Sequence, residues 1–297
     1  FRDKYHMHIV TEVDPKSGAL LARNPYNKEF PGRVVFLDVN EPTRFVSGDR
    51  IEFIGRNGTL ESPSAMYRDR LSGKVGAGID PCVAAQVKFE IEKGQEKEIL
   101  FTLGSGKTPD EARELLRRFG GPDSARQELE TIWEYWKRTL GVVYAETPDL
   151  STNFLVNGWL QYQVMSCRLW GRSGYYQSGG AFGFRDQLQD VMALIHSKPE
   201  LIREKLLTFA AHQFVEGDVQ HWWHPPEGRG VRSRCSDDYL WLPLVTCLYV
   251  DEIGDTGVLD EKVGFLTGPP VRPEEESYYD RPQASAQVGN AAVQEPP

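Results

Sequence analysis

A β-structured region followed by an α-helical one, joined by two linking helices, is the fold class that this 297-residue sequence predicts. Three observations carry it. Up to about residue 104, β-forming residues alternate or cluster in short runs bounded by turn residues. Thr108-Pro-Asp-Glu111 then marks a helix start, and from Pro148 onward apolar residues recur at helical spacing. In the first region the strand runs are Ile9 to Val13, Arg33 to Val39, Arg50 to Ile54, Ala85 to Ile91 and Glu98 to Leu103. Lys93 to Glu96 reads as the tip of a hairpin joining the last two. Antiparallel strands with long connections point to part of a sandwich.

The period changes at Thr108. Its hydroxyl and the Glu111 carboxylate can satisfy orphan amides of a first turn, and Pro109 has no amide to lose. Gly120-Gly-Pro122 ends this helix. A second is expected over about 123–140, with Leu129, Ile132, Trp133 and Trp136 as its buried stripe. A third, over about 150–169, is expected to bury Phe154, Leu155, Trp159, Tyr162 and Met165. Ser197-Lys-Pro-Glu200 reads as another capping box, starting a helix through about Phe214, and a further helix runs from about Asp238 to Glu252. Residues 268–297 show no period and few large apolar residues after Tyr279, so a disordered tail is expected there.

The formal charge of −9 argues against a nucleic-acid or anionic-membrane partner, because a phosphate backbone selects a basic face. No apolar run approaches the ~18 residues of a spanning helix. Neither a secretory signal nor an initiating Met is present, so a segment of a longer protein is expected. Cys82, Cys167, Cys235 and Cys247 form no Cys-x-x-Cys pair, which favours a reducing compartment.

Chemistry-bearing residues concentrate in Arg172 to Asp190, His221 to Pro226 and Arg234 to Trp241. Gly179-Gly180 and Gly183 lead into Phe184-Arg185-Asp186, where glycine permits close backbone approach to a ligand. The same pattern also describes a tight loop with a structural Arg-Asp pair. His221 and His224 have metal-ligand spacing, but Pro225-Pro226 imply an extended loop and no third ligand is near in sequence; no metal is expected. Trp222 and Trp223 cannot both face one core in an extended segment, so one is expected to line a cleft as a sugar platform. Asp237-Asp238 reads either as an acidic pair in a pocket or as an ordinary helix N-terminus. Arg172, taken alone, is most simply a solvated or ion-paired residue.

Taken together, these blocks resemble glycoside hydrolase family 94, the inverting β-glucoside phosphorylases, and within it the phosphorylase-like C-terminal region of cyclic β-1,2-glucan synthases. The carrying residues are Val10 to Asp14, Leu20 to Tyr26, Arg172 to Asp190, His221 to Pro226, Ser236 to Trp241 and Asp251 to Asp255. The resemblance implies the C-terminal part of a galactose-mutarotase-like β-supersandwich at 1–106. A helical linker at 107–146 and the first part of a catalytic (α/α)6 barrel at 147–267 would follow, with the tail at 268–297. It also implies that Arg172 contacts phosphate and that Asp186 holds the donor glucosyl ring. Arg185, Trp222 and Asp237 join Asp186 as expected substrate-binding residues. A guanidinium fork matches paired phosphate oxygens, and a carboxylate accepts from vicinal hydroxyls.

Ionised phosphate needs no base, so such an enzyme has to supply one general acid. In this family the acid lies in an Asp-Trp-Asn-Asp motif, which is absent from these residues. The expected partners are therefore β-glucan oligosaccharide and inorganic phosphate as co-substrate, with no other cofactor and no turnover by this chain alone. The glycine loop also lacks an arginine that cellobiose-type members carry, in keeping with the β-1,2-glucan branch. A cytoplasmic location is expected, with a membrane-anchored parent synthase. A partial barrel would leave apolar faces uncovered. Two other readings remain open: an (α/α)6 inverting hydrolase with Asp237 or Asp238 as acid, and a non-catalytic carbohydrate-binding module.

Overall fold

The computed structural model describes residues 6–27, 30–172 and 180–290. The chain divides into two units, 1–132 and 133–297.

In the first unit, β1 (Val10–Val13), β2 (Leu20–Arg23), β3 (Val34–Val39) and β6 (Phe101–Gly106) form an antiparallel sheet in the order β1-β2-β3-β6. Val10 pairs with Arg23, Leu20 with Leu37, and Val34 with Gly106. Two further strands, β4 (Arg44–Asp49) and β5 (Pro81–Val87), form a separate antiparallel pair. The turn at Lys93 to Glu96 is therefore not the tip of a β5–β6 hairpin, since each strand pairs elsewhere. Alternation marks a strand without naming its partner.

Arg50–Ile54, expected as a strand, is a helix, α1. Its five residues are too few for period to decide. Asp49 decides instead: its carboxylate accepts the Ile51 amide at 3.0 Å, and Glu52 turns inward to accept from the Ser47 hydroxyl at 2.5 Å.

Helix α2 (Pro109–Phe119) begins as the sequence requires, with the Thr108 hydroxyl accepting the Glu111 amide at 3.2 Å. The Glu111 carboxylate reaches the Lys107 amide rather than that of Thr108. Ala112 and Leu116 pack on Ala19, Leu21, Val34 and Phe36. Burying a side chain such as Phe36 contributes about 2–3 kcal/mol. Helix α3 (Pro122–Leu140) leaves most of its expected stripe in solvent: Leu129, Ile132 and Trp133 are more than half exposed, and of the four only Trp136 packs against a core.

In the second unit the expected helix over 150–169 is interrupted. Segments α4 (Leu150–Phe154) and α5 (Leu160–Gln163) are separated by non-helical backbone at Asn157 and Gly158. The Gly158 φ of 131° is a conformation that favours glycine, and the Asn157 amide clamps the Ala145 N–H at 2.7 Å and its C=O at 2.8 Å. Met165 is buried as expected, but Phe154, Leu155, Trp159 and Tyr162 are exposed. Phe154, Trp159, Tyr162, Trp136 and Trp170 form a row of neighbouring rings 5.0–5.9 Å apart.

The core of this unit is built by α6 (Phe184–Met192), α7 (Pro199–Ala210) and α8 (Asp238–Ile253). Phe184, Leu188, Ile202, Phe209, Leu242 and Val245 meet there. The expected Ser197-to-Glu200 capping box does not form. Helix α7 starts at Pro199, Lys198 occupies the cap without a side-chain bond, and Glu200 pairs with the Lys198 ammonium at 3.3 Å. The helix ends at Ala210, short of Phe214, because Gln213 and Phe214 make bridges to Val219 and Leu266.

A sheet of order β11-β9-β8-β7, from β7 (Phe182–Gly183), β8 (Gln220–His224), β9 (Arg229–Ser233) and β11 (Ser277–Asp280), packs its Phe182 and Trp223 on Phe209 near the C-terminal end of α7. Strands β10 (Lys262–Thr267) and β12 (Gln283–Asn290) form a second pair. Residues 268–290 are thus not a disordered tail. Their order comes from long-range partners that composition does not encode. Tyr278 and Tyr279 pair with Arg232 and Val231, and the buried Arg232 guanidinium donates to the carbonyls of Gly268 and Pro269 at 3.0 Å each. Residues 291–297 of the expected tail lie outside the described residues.

Candidate functional site

Strand β7 assembles the site. Phe182 and Gly183 pair with Trp223 and Trp222, which sets the N-terminus of α6 beside β8. Side chains on neighbouring strand residues point to opposite faces. Trp223 accordingly enters the core at 2% exposure, while Trp222 packs on Tyr279 at 5.6 Å and His224 at 5.3 Å. The Asp186 carboxylate lies against Gly183, where an added Cβ would stand 2.7 Å from Oδ2. Glycine is needed there for that contact.

The N-terminus of α8 converges on the same place. Arg185 Nη1 donates to Asp237 Oδ2 at 2.8 Å, with Asp186 Oδ1 3.8 Å from Arg185 Nε. Asp237 also accepts from the Cys235 thiol at 3.0 Å. The thiol, and then the Arg185 guanidinium, hold the Asp237 carboxyl down at about 2. The same contact, followed by burial, pushes the Cys235 thiol up to about 11. Neither Asp237 nor Asp238 caps α8 through its side chain. Asp238, 1% exposed, instead meets His221 Nδ1 at 2.5 Å. That hydrogen bond raises the His221 pKa above the ordinary imidazole value, against the opposing effect of burial. The charges of Arg185 and Asp186 also act on the ring, so these residues form one electrostatic cluster.

A metal is a poor occupant. His221, Cys235 and Asp238 bring one potential donor atom each within 4.8 Å of one another. However, two donors at ~2 Å from one tetrahedral ion stand more than ~3 Å apart, and the His221–Asp238 separation of 2.5 Å is that of a direct hydrogen bond. His224, the partner suggested by spacing, packs on Trp222 instead.

Arg172 lies at the Phe182 end of β7. Its backbone adopts φ 45°, its Cζ sits 4.8 Å from the Phe182 ring centre, and its Nη2 is 3.8 Å from where a Gly180 Cβ would be. Its Nε is buried without a hydrogen-bond partner among the described residues. Residues 173–179, including Gly179 of the expected glycine turn, lie outside the described residues. Further along α6, Asp190 accepts from Arg168 Nε at 2.9 Å and ties the helix to the preceding segment.

The structure thus brings Arg185, Asp186 and Asp237 into one cluster, with Trp222 paired to Gly183 beside it and Arg172 at Phe182. Two neighbours of these side chains escaped the sequence reading. The His221–Asp238 pair spans 17 residues and has no local signature. Lys205, whose Nζ lies 4.5 Å from the Phe182 ring centre, carried a signal: it occupies the apolar stripe Ile202, Leu206, Phe209 of α7, where a charge is out of place.

Comparisons with known proteins agree with this layout. The description "Glycosyl hydrolase 94, supersandwich domain" matches residues 2–122, and "Glycosyl hydrolase 94 superfamily, catalytic domain" matches residues 135–271. The cyclic beta-(1,2)-glucan synthase NdvB of Rhizobium meliloti is 38% identical over 283 residues, 95% of this chain and 10% of that protein. An N,N'-diacetylchitobiose phosphorylase of Vibrio proteolyticus is 25% identical over 82% of this chain and 34% of its own length. A cellobionic acid phosphorylase of Neurospora crassa is 27% identical over 82% of this chain and 30% of its own. The chain spans about a tenth of the synthase and about a third of these phosphorylases. No helix among the described residues is long and apolar enough to cross a membrane. With one family's two domains matched in their order along the chain, the protein belongs to glycosyl hydrolase family 94.

Proposed function

We propose that this chain carries part of the donor-sugar and phosphate subsites of a family 94 module acting on β-glucan, and that it binds sugar and inorganic phosphate without turning them over by itself. The observation that carries the reading is the convergence of the α6 and α8 N-termini, where Arg185, Asp186, Asp237 and the His221–Asp238 pair meet. Asp186 accepts from donor-ring hydroxyls, Trp222 lends a ring face, Arg185 and Asp237 frame the rim, and Arg172 receives phosphate. The supersandwich portion is taken as 1–106, the linker as 107–146 and the barrel portion as 147–267, with α6 to α8 as helices of an (α/α)6 barrel. The 38% identity to a β-1,2-glucan synthase supports β-1,2-linked glucan as the substrate class. Four unpaired cysteines suit a cytoplasmic site.

Phosphate arrives ionised and needs no base, but the departing sugar oxygen needs a proton. Asp237, held at about 2, is ionised at neutral pH and cannot supply it. This disfavours the hydrolase alternative that uses Asp237 as acid.

The test is to incubate the chain with β-1,2-oligoglucan, with and without phosphate, and to measure glucose 1-phosphate and free glucose. Saturable sugar binding, weakened by Asp186→Asn, with no product in either condition, is expected. Arg172-dependent glucose 1-phosphate release would refute the inactivity. Phosphate-independent glucose release would favour a hydrolase, and sugar binding unaffected by Asp186→Asn a different binding module.

A further inference from the structure

We propose that Lys205 and Arg172, set against the single ring of Phe182, form a paired-cation subsite for a tetrahedral oxyanion. The proposal rests on the phosphate role given to Arg172 and adds a residue from a different helix.

Lys205 sits in the buried stripe of α7, three residues after Ile202 and four before Phe209, and is 7% exposed. Lysine is almost never so buried unless paired. Among the described residues its ammonium has no hydrogen bond and no ion pair; its Nζ lies 4.5 Å from the centre of the Phe182 ring. The Arg172 Cζ is 4.8 Å from the same centre. Two cations therefore share one aromatic ring, whose quadrupole attracts each but cannot replace a lost hydration shell.

The charges around Lys205 leave this cost uncompensated. Burial lowers its pKa, Arg172 lowers it further by repulsion, and Glu204 alone opposes them, with a smaller effect than burial. Arg172 shows a matching deficit in its Nε, buried without a hydrogen-bond partner among the described residues. One doubly charged ligand would relieve both residues: a phosphate or phosphoryl group offers paired oxygens to the guanidinium fork and a further oxygen to the ammonium. A neutral sugar hydroxyl could not balance two positive charges. The carboxylate-rich cluster begins one residue further along β7, at Gly183.

The full chain is titrated calorimetrically with inorganic phosphate, with glucose 1-phosphate and with a β-1,2-linked glucose disaccharide. Lys205→Met keeps an unbranched apolar stem and removes the charge. It should weaken phosphate binding by about tenfold or more while leaving disaccharide affinity unchanged. Glucose 1-phosphate binding should fall in parallel if the subsite takes a phosphoryl group, and stay unchanged if it takes free phosphate alone. Lys205→Arg supplies an independent readout. Sulfate, which does not itself titrate, should lose affinity for wild type as pH rises, before the ordinary lysine value is reached, and bind the arginine variant without that decline. Phosphate affinity unchanged by Lys205→Met but lost in Arg172→Ala would overturn the role of Lys205 and leave Arg172's intact. Absence of phosphate binding by the wild-type chain would overturn both.

Discussion

Arg232→Met should release the segment that follows β10 before it unfolds the helices. Arg232 is 2% exposed. Its guanidinium donates to both Asp218 oxygens at 2.6 and 2.5 Å, to Glu216 at 3.0 Å and to the carbonyls of Gly268 and Pro269, and it stacks 3.8 Å from the Phe214 ring centre. Removing one partner of a buried pair costs about 3–5 kcal/mol, because the other is left charged in a poor solvent. Asp218 fits that case, with a side chain 18% exposed; Glu216, at 46%, is already solvated and adds little. The lower end, about 3 kcal/mol, is therefore the expected loss. Urea unfolding gives the total, and hydrogen exchange locates it: amides of β10 to β12 should lose protection while those of α7 keep theirs. Arg232→Lys keeps the charge but not the planar fork and should fall between. A loss below about 0.5 kcal/mol, or protection lost evenly through the unit, would refute the reasoning.

Three further outcomes are expected. Gly183→Ala places a Cβ 2.7 Å from Asp186 Oδ2 and should abolish sugar binding with little change in melting temperature; unchanged binding by calorimetry would show that the carboxylate position is unimportant. His212, stacked 3.8 Å from Trp223, is held by burial at about 4. The unfolded chain takes up a proton there below about 6.5 and the folded chain does not, so stability should fall by up to about 1.4 kcal/mol per pH unit between those values. His212→Phe should flatten that slope in denaturation curves. His221 has the opposite sign, because Asp238 raises its pKa. Its contribution is full below about 6.5 and disappears as pH rises through the folded value, so the stability gap between wild type and Asp238→Asn should narrow with rising pH. Parallel curves would count against the pair.

What the sequence disclosed was local, and what it hid depended on distant partners. Thr108, Pro109 and Glu111 declare α2 because a cap needs only neighbours within one turn. Asp49 capping α1 is equally local, yet alternation over five residues concealed it. Strands β11 and β12 pair with β9 and β10, and Arg232 holds the Gly268 and Pro269 carbonyls from more than thirty residues away, so composition alone read that stretch as a tail. The aromatic row from Phe154 to Trp170 has a helical core's period but lies open, since period reports an apolar face without saying what covers it. In the site, the Arg185-Asp186 block was conspicuous because glycine, charge and aromatics crowd together. Its fixed partners, Asp237 and the His221–Asp238 pair, were visible only as residues with other plausible roles.

The division of charge about β7 bears on which chemistry the site can assist. Arg172 and Lys205 lie 4.8 and 4.5 Å from the Phe182 ring centre, and carboxylates gather from Gly183 onward, a division that suits the proposed anion and sugar subsites. A proton donor at that junction would need a carboxyl that is protonated near neutrality and free to move its proton. Asp237 fails the first condition, because a thiol and a guanidinium both donate to it. Asp190 comes nearer to the first, since burial raises its pKa, but it fails the second: Arg168 donates to it at 2.9 Å, and protonating it would break the bond that anchors α6. Making either one the acid would require removing its arginine first. Arg185→Gln or Arg168→Gln would therefore raise the carboxyl's pKa without creating a catalyst, because each arginine also holds its carboxylate in place.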